Sequence, residues 1–204
     1  VTTERERLRR LGLRLEYGTI AWNVLEAGLT IALGIAAGSL ALIGFGGDSI
    51  IEVFASTVIV WHLRPGHEED NPQRTALALR LVGYAFAALA AVLATFAVRD
   101  LVTTRRPDES LWGAIYLVTA AVVMFGLGGV KHRVARRIDS APLASEATLT
   151  VLDGFLAAGT AAGLGLNILF GWWWADPVTA LVVAGICVSE ARENLEESRE
   201  WADL

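Results

Sequence analysis

The chain is poor in the residues that most often carry metal and redox chemistry. It has one cysteine, Cys187, and three histidines, His62, His67 and His132. A lone cysteine in an apolar run allows neither a disulfide framework nor a thiolate cluster within one chain. The histidines fall at or near the ends of apolar runs, so serine or cysteine chemistry inside a run finds no imidazole to activate it. Charge is scarce too: 19% of the 204 residues are charged, and they cluster. No connecting segment is long enough to hide another domain, and no nucleic-acid signature occurs. The opening VTTERERLRRLGLRLEYG is basic, but it leads into a run too long for a signal-peptide core and shows no obvious cleavage site. It reads as an amphipathic cytoplasmic lead-in.

What remains is apolar. Apolar residues make up 54% of the chain and the mean hydropathy is +0.48, beyond an ordinary soluble domain. Long apolar runs separated by charge clusters predict an all-α polytopic membrane protein, a six-transmembrane-helix bundle. The spans fall at about 15–38, 39–63, 77–98, 111–130, 147–170 and 173–189, each within the range of lengths that crosses a bilayer. They form one transmembrane domain over residues 1–204 with no separate cytoplasmic domain, only a short charged helix after the sixth span. The polar connections are RPGHEEDNPQRT, RDLVTTRRPDES and KHRVARRIDSAPLASE.

Cationic residues set the orientation. Arg5, Arg7, Arg9, Arg10 and Arg14 precede span one, Arg64 and Arg74 follow span two, and Lys131, Arg133, Arg136 and Arg137 follow span four. The opposite side has Arg99, Arg105 and Arg106. Both termini are therefore expected in the cytoplasm, in a protein integral to the cell (plasma) membrane. Trp112, Trp172, Trp173 and Trp174 would mark the outer interface and Trp61 the inner one.

Inside this apolar frame sit acids. Asp48 and Glu52 lie four apart in SLALIGFGGDSIIEVFASTVIVWHL, so both carboxylates share one helix face. Each charge at a bilayer centre costs roughly 2–3 kcal/mol or more on insertion scales, and the two repel. A bound cation or a proton relieves both costs. At about 1.5 Å per residue, Asp48 and Glu52 lie roughly 14 and 20 Å below the outer end of span two. Glu26 of span one lies roughly 16 Å, and Asp153 of span five roughly 10–12 Å, above the inner end. Four acids on three helices at similar depth predict a cation site: Asp48, Glu52, Asp153 and Glu26. The plainer account of each is a protonated or hydrogen-bonded acid with a packing role. On span five, Glu146, Thr150, Asp153, Thr160 and Asn167 follow steps of four, three, seven and seven and so line one interior stripe. Its polar groups would line a hydrated ion path or simply join helices. Glu146 itself is expected at the inner membrane surface, as a mouth residue or a solvated end. Gly34/Gly38 and Gly159/Gly163 mark small-residue faces in two segments that echo each other, pairing Glu26 with Asp153.

The phrase GSLALIGFGGDSIIEVFAS resembles the second transmembrane helix of the cation diffusion facilitator (cation efflux) family. The phrase LDGFLAAGTAAGLGLNILFGWWWADPVTALVVA resembles that family's fifth and sixth helices, including the Trp-x-Asp-Pro turn. The resemblance implies a metal/proton antiporter exporting divalent metals, often zinc. It implies a site of Asp48, Glu52 and Asp153. Leu149 stands where the family has a further His or Asp, and Glu26 is the best substitute. The family's cytoplasmic metal-binding domain and His-rich loop have no counterpart in this sequence, so a divergent, transmembrane-only branch is expected. Family habit and the glycine faces suggest a homodimer.

An all-carboxylate site suits harder ions such as Mn²⁺, Fe²⁺ or Mg²⁺, yet zinc also accepts carboxylate oxygens. The resemblance puts zinc first and manganese or iron second, as substrate rather than permanent cofactor. Two other readings compete. One is a metal-binding membrane accessory protein that does not transport. The other is an intramembrane aspartyl protease using Asp48 and Asp153, although Phe45-Gly46-Gly47-Asp48 lacks the first glycine of that class's Gly-x-Gly-Asp segment.

Overall fold

The computed structural model describes residues 3–37, 40–64, 71–104 and 111–203, with side chains left aside at 33, 34, 36, 37, 40–45 and 111–114. The Gly38-Ser39 turn, His67, Arg105 and Arg106 lie outside the described residues, as do the side-chain surroundings of Gly34 and Trp112. Six helices run in order: α1 Glu4–Ala37, α2 Leu40–Leu63, α3 Pro72–Thr103, α4 Leu111–Ile138, α5 Ala141–Phe170 and α6 Ala175–Ala202. Among the described residues there is no strand. The protein is an all-helical membrane bundle. α3, α5 and the stretch Ile115–Ile138 of α4 are each long and apolar enough to cross a membrane.

Local chemistry sets the breaks. Asn71 caps α3 by accepting the backbone N–H of Arg74 at 3.2 Å, with Pro72 in the first turn where no N–H is needed. Gly171 closes α5 at φ 70°, a conformation glycine adopts without steric cost, and its N–H returns to the Asn167 carbonyl. The connection after the fourth span differs from expectation. KHRVARRIDSAPLASE is not a polar loop: α4 continues to Ile138, Asp139 turns at φ 54°, and Ser140 caps α5. Asp is among the few non-glycine residues that tolerate this left-handed turn.

The closest helix pairs are α1 with α2, α3 with α6, and α4 with α5, while α2 and α5 also meet each other. The shared apolar core is built from residues such as Ile59, Leu79, Val82, Phe86, Leu143 and Leu149. Val24, Leu29, Phe54, Val98, Val122, Phe155 and Val182 are instead exposed around the outside, as a lipid-facing surface requires. At one end Trp172 and Trp174 stack with ring centroids 5.4 Å apart. At the other, Arg9 donates to the Leu63 and Arg64 carbonyls, both at 2.6 Å, Arg5 to that of Ile138 at 3.4 Å, and Arg74 to that of Trp61. Arginines thus satisfy carbonyls that the ends of α2 and α4 leave unpaired. The starts of α1 and α3 share this end with the ends of α2 and α4, so these four helices alternate in direction.

The glycines of α5 serve this chain's own packing. A Cβ at Gly159 would sit 2.2 Å from Thr179 Cγ2, and one at Gly163 2.9 Å from the Asp176 backbone nitrogen, both on α6. The Gly159/Gly163 face is therefore spent on the α5–α6 contact and offers no support for dimerisation. Gly163→Val forces α5 off α6 and is expected to lower stability by about 2 kcal/mol, within the usual range for overpacking. Thermal unfolding in detergent checks this, and an unchanged midpoint would mean the two helices separate freely there.

Candidate functional site

Three helices turn polar stripes toward each other. On α2, Asp48, Ser49, Glu52 and Ser56 are all buried. On α1, Glu16, Thr19, Asn23 and Glu26 are buried, in steps of three, four and three, so they fall on one face. On α5, Glu146 and Thr150 are fully buried and Asp153 is half-buried.

The four predicted acids enter this polar interior. Asp48 on α2 and Asp153 on α5 lie near enough for their carboxyls to interact. Glu26 accepts from the Ser49 hydroxyl at 3.1 Å and from the Tyr116 hydroxyl. Glu52 Oε1 accepts from Thr150 Oγ1 at 2.8 Å, and the Asn23 side chain lies beside Glu52. Asp153 lies close enough to Glu52, Asp48 and Glu26 to feel all three charges. Glu26 and Glu52 thus take donors from the protein. Among the described residues, no three or more His, Cys, Asp and Glu side chains are gathered closely enough to hold one ion as they stand. One oxygen nearby has no donor: Asn23 Oδ1 is buried without a hydrogen-bond partner, on an amide whose nitrogen donates to the Thr19 carbonyl at 3.1 Å. A buried acceptor left open costs about 1–3 kcal/mol, and a cation would relieve it.

A cavity of ≈ 190 Å³ leads away from Asp48. Its walls include Phe96, Asp100 and Thr160, and Asp176 stands at the start of α6. Thr160 and Asp176 both line it, so a member of the predicted α5 stripe does face this space. Asp100 and Asp176 were not legible as site residues. Each sits at a span end, where an acid ordinarily means solvent.

A second cluster corrects the reading of the inner side. Lys131 is not in a polar loop and Glu146 is not a solvated end: both are fully buried. The Lys131 ammonium reaches Glu146 Oε1 at 2.7 Å and Oε2 at 2.9 Å, Glu16 Oε2 at 3.3 Å and Thr150 Oγ1 at 3.1 Å. Ser56 Oγ donates to Glu146 Oε1 at 3.0 Å. The physical reason is the continuation of α4, which carries Lys131 inward past α1 and α5 instead of releasing it to water. One signal was available: Lys131 is the only lysine among 17 cationic residues, and it ends an apolar run. Arginine suffices for anchoring at a membrane surface, whereas a compact ammonium suits enclosure by carboxylates.

A bundle of apolar helices around buried carboxylates defines an integral membrane protein with a polar interior. The chain belongs to the cation efflux family, since residues 19–200 match the model of the cation efflux transmembrane domain. No curated protein matches it. Family membership makes it a divalent cation transporter, of a family whose members carry ions and are not enzymes.

Proposed function

We propose that the protein exports a divalent metal, zinc first and manganese or iron second, in exchange for protons. Asp48, Glu52 and Asp153 are the ligands, with Glu26 as the fourth carboxylate. The observation that carries this reading is the approach of the Asp48 and Asp153 carboxyls, which joins the two helices that the family motifs single out. Two carboxyls sharing one proton release it when a metal binds, and take it up when the metal leaves. That exchange is antiport in chemical terms. The open oxygen Asn23 Oδ1 supports an added neutral ligand beside Glu52, where the family's own position is Leu149. The buried Leu149 packs in the apolar core.

Both termini face the cytoplasm of the cell membrane in this reading, because the arginine-rich end then lies inside. The transporter works as a homodimer, a proposal resting on family habit alone. Reconstitution into liposomes with a metal-sensitive dye and an imposed pH gradient tests the function. Metal influx coupled to proton efflux supports it, and binding without flux would make the chain an accessory protein.

Glu26→Gln is the sharper test of the ligand set, because Glu26 comes from depth and not from the family motifs. Loss of a charged ligand is expected to weaken metal affinity by about tenfold or more, the scale of one charge-assisted contact. Titration calorimetry measures it. Unchanged affinity would leave Glu26 as a structural acid held by Ser49 and Tyr116. The same Asp48–Asp153 contact favours one other reading, an aspartyl dyad that cleaves peptide bonds in the membrane. Cleavage of a helical peptide by the reconstituted protein, lost in Asp153→Asn, would support that reading over transport.

A further inference from the structure

Lys131 is held as an inorganic cation would be. Its ammonium, buried on α4, is surrounded by oxygens of Glu16 from α1 and of Glu146 and Thr150 from α5. The transport reading makes no use of this cluster. Yet Thr150 joins the two: its hydroxyl lies 3.1 Å from the ammonium and 2.8 Å from Glu52 Oε1. A hydroxyl has one proton. Receiving the ammonium's N–H on a lone pair, Thr150 gives that proton to a carboxylate, and Glu52 at 2.8 Å is nearer than Glu146 at 3.3 Å. A full positive charge therefore stands less than 6 Å from Glu52, with an oriented hydroxyl between them. Among the charges around Glu52, that of Lys131 acts most strongly, ahead of that of Glu146.

We infer that Lys131 is a tethered cation that weakens the hold of the Asp48–Glu52–Asp153 site on its divalent cargo, so that the cargo can leave. The inference rests on the proposed metal site. Like charges this close, in surroundings poorer than water at screening, repel strongly. Four carboxylates with no opposing charge would bind a divalent ion tightly and release it slowly. A carrier needs binding strong enough to load and weak enough to unload. Lys131 acts through Thr150 and Glu52 and is a positioning residue, not a ligand.

Titration calorimetry with zinc, and then manganese, on the purified full chain in detergent separates this from a structural role. Lys131→Met removes the repelling charge and is expected to tighten binding by about tenfold, within the usual range for coupled sites. Glu146→Gln leaves the ammonium less compensated and is expected to weaken binding by about as much. A cluster that only holds the helices together would weaken binding in both variants. Flux adds a second readout: Lys131→Met should lower both the half-saturating metal concentration and the maximal rate, because release slows. Where Lys131→Met does not fold, Lys131→Met combined with Glu16→Gln removes one charge of each sign and should still tighten binding. A parent protein that binds no divalent ion overturns the metal site and this inference together. A parent that binds, with the lysine-free variant unchanged or weaker, overturns the inference alone. Glu146→Gln with unchanged or tighter binding does the same.

Discussion

Asp48→Asn and Asp153→Asn should each reduce metal flux by about 100-fold, equivalent to about 3 kcal/mol at 1.4 kcal/mol per decade. Each substitution removes a negative ligand from a site whose donors are oxygens, while the amide keeps nearly the same shape. The contact between positions 48 and 153 survives in altered form, since an amide can donate as well as accept. Folding should therefore be spared. Thermal stability should hold or rise, because one buried repulsion disappears. Flux into liposomes and unfolding in detergent, measured on the same preparation, separate lost function from lost structure. If Asp48→Asn binds metal as the parent does, the proposed site is wrong.

The other large effect falls on stability. Lys131→Ala leaves Glu16 and Glu146 buried with no opposing charge, and opens a space where the ammonium was. Breaking a buried ion pair on one side typically costs about 3–5 kcal/mol. The variant should unfold at a much lower temperature than the parent, or fail to accumulate. Lys131→Met combined with Glu16→Gln and Glu146→Gln removes all three charges and should recover most of the loss, because a matched apolar or neutral replacement is often tolerated. If Lys131→Ala melts like the parent, the cluster is reached by water and the burial of Lys131 is not real. These expectations agree with tighter metal binding by a folded Lys131→Met variant: the same uncompensated carboxylates that weaken the apo fold attract a divalent ion.

Much of this protein was legible in sequence because membranes restrict what a chain can do. Apolar runs of bilayer length leave helices as the main option, since unpaired backbone groups cannot remain in hydrocarbon. The spacing of Asp48 and Glu52 fixes them to one face of α2 before any coordinates are known. The interior direction of the α5 stripe follows from the same period: Thr150 meets Glu52 and Thr160 meets Asp176. The parallel stripe on α1, Glu16, Thr19, Asn23 and Glu26, was equally periodic, although only Glu26 stands out by its charge at mid-depth.

Other features depended on where helices end and which neighbour they meet. Sequence placed Lys131 in a basic loop because His132, Arg133, Arg136 and Arg137 follow it, and such clusters ordinarily mark the cytoplasmic surface. Only the fold shows that α4 runs on to Ile138, so one side of that segment faces solvent while Lys131 turns inward. Glycine spacing could not say whether Gly159 and Gly163 face another copy or another helix of the same chain; the nearness of Thr179 and Asp176 decides for α6.

By itself, the sequence determined an all-helical membrane bundle, the faces on which its acids lie, and the family. The tertiary structure decided which acids lie against each other, which oxygen stays open beside Glu52, and that the one lysine sits inside among carboxylates. The physical reason is range. Helical period and hydropathy are local and can be read residue by residue, whereas the partner of a buried charge belongs to a different helix, and only packing brings the two together.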